Sequence, residues 1–160
     1  MHPTKNDLPQ KTRAKVIAVL SDRLADATDL MLQGKQAHWN VKGPNFIALH
    51  ELFDKVVESA EEWVDLTAER IVQLGGQAEG TVQATAARTT LAPYPLSIVS
   101  GADHVEALSS SLAAYGKKVR SAIEKTDKLG DKDSSDIFTE ISRDVDKYLW
   151  FVEAHNQRAE

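Results

Sequence analysis

The spacing of its breaks constrains this chain more than any other feature. Two short interruptions and one long one divide its 160 residues into four stretches with helical apolar periodicity. Val16, Val19, Leu20, Leu24, Ala27, Leu30 and Met31 recur at steps of three and four, which predicts one amphipathic helix from near residue 9 to about Val41. Asp7 and Gln10 have capping-box spacing, and Pro9 suits an early helical position. Gly43-Pro44 ends that helix. A second runs from about Asn45 to Leu74, where Gly75-Gly76 supplies a stop. Residues 75–99 are rich in Gly, Thr, Ala and Pro and hold no long apolar stripe, so they read as a connection with a short helix around Thr81 to Ala87. Ser100 with Asp103 is a second capping pattern, opening a helix whose face is Val105, Leu108, Leu112, Tyr115, Val119 and Ile123. The turn KTDKLGDKDSSD follows, and a last helix from about Ser134 to His155 offers Ile137, Ile141, Val145, Leu149 and Val152 to a core.

Short, long, short is the informative order of connections. A short loop makes its two helices antiparallel neighbours, while a long one carries the chain the length of a bundle. The expected fold is therefore all-α, a ferritin-like four-helix bundle with a long crossover between its second and third long helices. Residues 1–160 form one domain with no internal repeat, and residues 1–8 form a short basic tail. With no cysteine, neither a disulfide framework nor a thiolate zinc site is available. No apolar run resembles a signal sequence or a membrane span, so a cytoplasmic protein is expected.

The second helix carries chemistry on the side its core does not use. At about 100° per residue, Leu49, Phe53, Val56, Ala60, Trp63, Thr67, Ile71 and Leu74 share one face. His50, Asp54, Asp65 and Glu69 lie opposite, among Ile47, Val57, Ala68 and Val72. Asp54 and Asp65 are about 16 Å apart along a helix, whereas metal–oxygen bonds are about 2 Å long, so one metal cannot be held by both pairs of one chain. The positions are nevertheless symmetric. His50 and Glu69 lie equally far from the midpoint between Ser59 and Ala60, as do Asp54 and Asp65, and Ile47 and Val72. Two copies packed antiparallel about a two-fold axis there would set His50 and Asp54 of one chain against Glu69 and Asp65 of the other, with His38 reaching in from the first helix. None of His2, His38, His50, His104 and His155 follows a Glu by three residues, so the di-metal pattern held inside a single bundle is not expected. Mixed imidazole and carboxylate ligation suits iron, zinc or manganese.

The same residues carry a family resemblance. KQAHWNVKGPNFIALHELFD and VDLTAERIVQLGG are similar to the two signature stretches of the Dps family, the mini-ferritins known as DNA-binding proteins of starved cells. PYPL and SRDVDKYLWFVEAH extend the likeness over nearly the whole chain. The resemblance implies a ferroxidase centre of His38, His50 and Asp54 from one subunit with Asp65 and Glu69 from its partner. It also implies a hollow dodecamer that oxidises Fe²⁺, preferring hydrogen peroxide to oxygen, and stores ferric mineral. Trp39, beside a ligand, is placed to give an electron to a stray oxidant or to pack in the core. Iron-entry pores in the family lie around the start of the last helix, which corresponds here to Asp127, Asp131 and Asp136, with Asp133 beside them. Lys132 stands where many members carry an acid.

A second reading is an architectural DNA-binding protein acting through Lys5, Lys11, Arg13 and Lys15. The chain's net charge of -5, multiplied over a dodecamer, opposes that reading, and the C-terminal HNQRAE is short and nearly neutral. A third is a helical interaction protein whose site holds zinc.

Overall fold

The computed structural model describes residues 1–157 and consists of α1 (Gln10–Asn40), α2 (Phe46–Gln73), α3 (Val82–Arg88), α4 (Gly101–Lys128) and α5 (Lys132–Glu153). The end of the C-terminal tail, residues 158–160, lies outside the described residues. Helix α1 packs most extensively on α2, and α4 on α5; the two hairpins meet through α1 with α4 and α2 with α5, while α3 lies against α1. This is the expected ferritin-like topology. None of the described helices is long and apolar enough to cross a membrane.

The core follows the helical stripes. Every residue assigned to the core face of α2, from Leu49 to Leu74, is buried, as are Val16, Leu20, Leu24, Ala27 and Leu30 of α1. Full burial of each large apolar side chain contributes about 1.5–3 kcal/mol, set against the chain entropy lost on folding. Val19, Met31, Ile123 and Leu149, expected on core faces, are only partly buried at the margins of their stripes, and α5 and Val57 depart further. Phe138 is fully buried while its neighbour Ile137 is only partly so, because the stripe of α5 is rotated slightly from its expected course. Val57, expected on the outer face of α2, is 5% exposed. It packs at the crossing with α1, where a Cβ on Gly34 would lie 2.8 Å from its Cγ2. Only glycine allows the two helices this approach.

One of the two expected capping pairs forms and the other does not. Ser100 accepts from the Asp103 N–H at 3.1 Å and donates to the Asp103 carboxylate at 2.7 Å, so that capping pair forms. Asp7 and Gln10 do not form theirs. Helix α1 is preceded by Pro9, which has no side chain to cap with, and Asn6 takes the local turn by accepting from the Leu8 N–H. Helix α5 starts two residues before Ser134 because Asp131 supplies its cap.

The crossover is fixed along its length. Asp26, fully buried on α1, accepts from the Thr90 N–H at 2.7 Å and pairs with Arg23 at 2.8 Å, and Gln33 donates to the Ala92 carbonyl at 3.1 Å. At its end, Lys42 N–H donates to Val99 and Gly101 N–H to Lys42, tying the α4 entrance to the α1–α2 loop. That loop sets how His38 and His50 meet.

Candidate metal centre

The last turn of α1 and the first turns of α2 are joined by a reciprocal pair of imidazole bonds. His38 Nδ1 lies 2.7 Å from the His50 main-chain carbonyl, and His50 Nδ1 lies 2.8 Å from the His38 carbonyl. A carbonyl oxygen only accepts, so both Nδ1 atoms must carry the proton, and both Nε2 atoms then present a lone pair. The rings stack at 3.7 Å between centroids, 21° from parallel. Histidines that bind metals are commonly oriented in this way, with the non-ligating nitrogen donating to a carbonyl or carboxylate. The arrangement fixes the tautomer before any metal arrives.

Asp54 stands one turn beyond His50, its carboxylate 3.9 Å from His38 Nδ1. It is engaged by the Lys35 ammonium, and that hydrogen bond, with a smaller contribution from the Lys35 charge, holds its carboxyl below the usual carboxylate range despite an opposing desolvation effect. Lys35 was not singled out from the sequence. Its signal was its position three residues before His38, which places both on one helical face.

Asp65 and Glu69 are exposed on the same helix, more than a turn beyond Asp54. Among the described residues of one chain, no three His, Asp or Glu side chains converge as a metal site. His38 is stacked on His50 and approaches Asp54, but the three do not close into a metal site within one chain, and Asp65 and Glu69 lie further along α2. Beside the first group, Trp39 is 68% exposed and Ile47 61%, and beside the second Val72 is 58% exposed. Trp39 therefore does not pack in the bundle core.

The other residues assigned roles are distributed as follows. Asp127 and Asp136 are exposed, and Asp127 pairs with Lys132. Asp131 is 2% exposed and already engaged. It accepts from Ser134 N–H and Oγ and pairs with Arg70 Nη2 at 2.8 Å, so within one chain it holds the start of α5. Asp133 lies 3.6 Å from the same guanidinium but is exposed. At the N-terminus, Arg13 is 9% exposed and donates to the Leu74 and Leu8 carbonyls, which removes it from the basic set. Lys5, Lys11 and Lys15 are exposed. The tail itself is seated: His2 N–H donates to the Gly75 carbonyl at 2.7 Å, and a Cβ on Gly75, where φ is +83°, would meet His2 O at 2.6 Å.

Comparison with known proteins places these features in context. The ferritin-like domain family matches residues 17–160. The chain is 48% identical over 156 residues to the DNA protection during starvation protein of Agrobacterium fabrum, covering 98% of this chain and 96% of that one. Its structure is similar to DpsA14 from Streptomyces coelicolor, with a TM-score of 0.93 and 35% identity over 98% of this chain and 92% of that one. It is also similar to Dps from Microbacterium arborescens in its high iron form, with a TM-score of 0.85 and 38% identity over 95% and 97% of the two chains.

Proposed function

Because this chain belongs to the Dps proteins of the ferritin-like family, we propose that it oxidises Fe²⁺ at sites shared between two subunits and stores the ferric product inside a twelve-subunit shell. The observation that carries this reading is the reciprocal His38–His50 arrangement, which commits both Nδ1 atoms to main-chain carbonyls, leaves both Nε2 atoms outside those bonds, and stands beside Asp54. The Microbacterium relative, described in a high iron form, supports iron as the substrate.

In the proposed centre, His38, His50 and Asp54 of one subunit and Asp65 and Glu69 of its partner bind two Fe²⁺ ions. Each ion gives one electron to hydrogen peroxide, the O–O bond breaks, and two protons complete two waters. Supplying both electrons together avoids the single-electron step that would release a hydroxyl radical. Three carboxylates favour the ferric product by charge. Trp39, exposed beside His38, is placed to reduce an oxidant that escapes. Asp127 at the end of α4 and Asp136 in the first turns of α5, with Asp133 between them, are exposed acids and the proposed lining of an iron entry.

Anaerobic loading with Fe²⁺ followed by peroxide titration tests the reaction. One peroxide should be consumed for every two Fe²⁺, with little hydroxyl radical trapped; a one-to-one ratio with radical release would overturn the assignment.

Protection of DNA does not require contact with it. The DNA-binding reading rests on a seated tail and three exposed lysines per chain, opposed by the shell's repeated net charge of -5. Plasmid should therefore migrate unshifted with the protein at about 0.15 M salt, a condition under which ionic contacts are screened beyond about 8 Å. A retarded complex lost on deleting residues 1–8 would restore the tail as a DNA-binding element.

A further inference from the structure

The Asp54 carboxylate that would receive a divalent cation already holds one positive charge, that of Lys35. The ammonium comes from α1, one helical turn before His38, and reaches an Asp54 oxygen across the α1–α2 crossing. Both partners are partly covered. Lys35 is held on the α1 face that packs on α2, and its side chain is only 34% exposed, with Asp54 at 36%. His38 Nδ1 also approaches that Asp54 oxygen, at 3.9 Å, but its proton is committed to the His50 carbonyl. Lys35 is thus the one cation in contact with the carboxylate.

We propose that Lys35 is an internal competitor for the metal position at Asp54, so that a divalent cation binds there by exchange with the ammonium. The inference rests on the reading of this stretch as a metal half-site and adds a specificity-determining residue to it. An ion carrying one charge gains little by replacing another single charge that is already tethered and hydrogen-bonded. An ion with two charges gains the additional attraction and the imidazole lone pairs. The exchange therefore weakens all cation binding at Asp54 but weakens it most for monovalent ions. It also orders the filling of the centre, since positions that do not require Asp54 need not expel Lys35.

The sign of the effect separates competition from simple positioning. If Lys35 merely held Asp54 in place for the metal, its removal would lower affinity. If it competes, removal raises affinity. Lys35→Met, of similar length and uncharged, should bind Co²⁺ about tenfold more tightly than wild type, because a partly exposed ion pair contributes a few-fold and coverage by a second subunit increases that. Equilibrium titration followed by the visible absorption of Co²⁺ reads this without any turnover. In an Asp54→Asn background the same substitution should change affinity less than about twofold, as a double-mutant cycle requires when the two residues act on each other. Unchanged or weaker Co²⁺ binding in Lys35→Met, with binding still sensitive to Asp54→Asn, would overturn this inference alone. Co²⁺ binding that Asp54→Asn leaves unaltered would overturn the metal-centre reading and this inference with it.

Discussion

Mixing an Asp54→Ala chain with an Asp65→Ala chain is expected to restore ferrous oxidation that neither variant supports alone. Each homogeneous variant lacks one carboxylate at every shared site. Loss of groups that only orient ligands costs about 10–100-fold, so loss of a ligand should cost more than about 100-fold. In a mixed dimer one site carries both lesions and the other carries neither. Random pairing makes half of the dimers mixed and leaves one site intact in each, so about a quarter of all sites should recover. Co-expression or joint refolding, followed by the peroxide-linked Fe²⁺ assay, measures this. A mixture no more active than its components would mean that Asp54 and Asp65 do not meet across subunits. Along a single α2 they are about 16 Å apart, so a site within one chain could not rescue the idea.

The second large effect concerns stability and separates two acids that look alike in the sequence. Asp131→Ala should destabilise the fold by about 3–5 kcal/mol, the usual consequence of leaving a buried ionic partner alone. Arg70, 5% exposed, would lose its closest carboxylate, and α5 would lose the side chain that caps it. For a chain of this size the melting temperature should fall by roughly 10 °C. Asp136→Ala, at an exposed position on the same helix, should stay within about 0.5 kcal/mol of wild type. Thermal unfolding of both variants provides the comparison. Equal melting temperatures would show that the Arg70–Asp131 contact contributes nothing. Arg70→Met combined with Asp131→Asn should recover part of the loss, since removing both charges leaves neither stranded.

These two residues mark how far pattern reading reaches. Asp127, Asp131 and Asp136 lie close together around the α4–α5 turn, and although Asp131 caps α5 locally, nothing nearby in sequence marks it as buried. Asp131 is set apart by Arg70, 61 positions away in sequence, whose guanidinium comes down from the end of α2. Arg13 is the same case: a basic residue near a basic terminus, until the Leu74 carbonyl at the far end of α2 takes its donor. Val57 was assigned outward by its helical angle and is buried because Gly34 lets α1 come close. Each misplacement involves a partner distant in the chain. By contrast, the core face of α2, the Ser100–Asp103 cap and the short helix after Thr81 depend on contacts within a few residues, and all three appear as expected.

The sequence by itself determined the helices, the order of short and long connections, and the separation of the candidate ligands His38, His50 and Asp54 from Asp65 and Glu69. Periodicity and spacing are properties of a single helix, and helix geometry converts them directly into faces and distances. Only the tertiary structure decided how the two histidines lock each other's tautomers, that Lys35 occupies the Asp54 carboxylate, and that the tail rests on Gly75. Those facts depend on the angle and separation at which α1 crosses α2. Packing against the rest of the bundle sets that geometry, and no stretch of the chain encodes it locally.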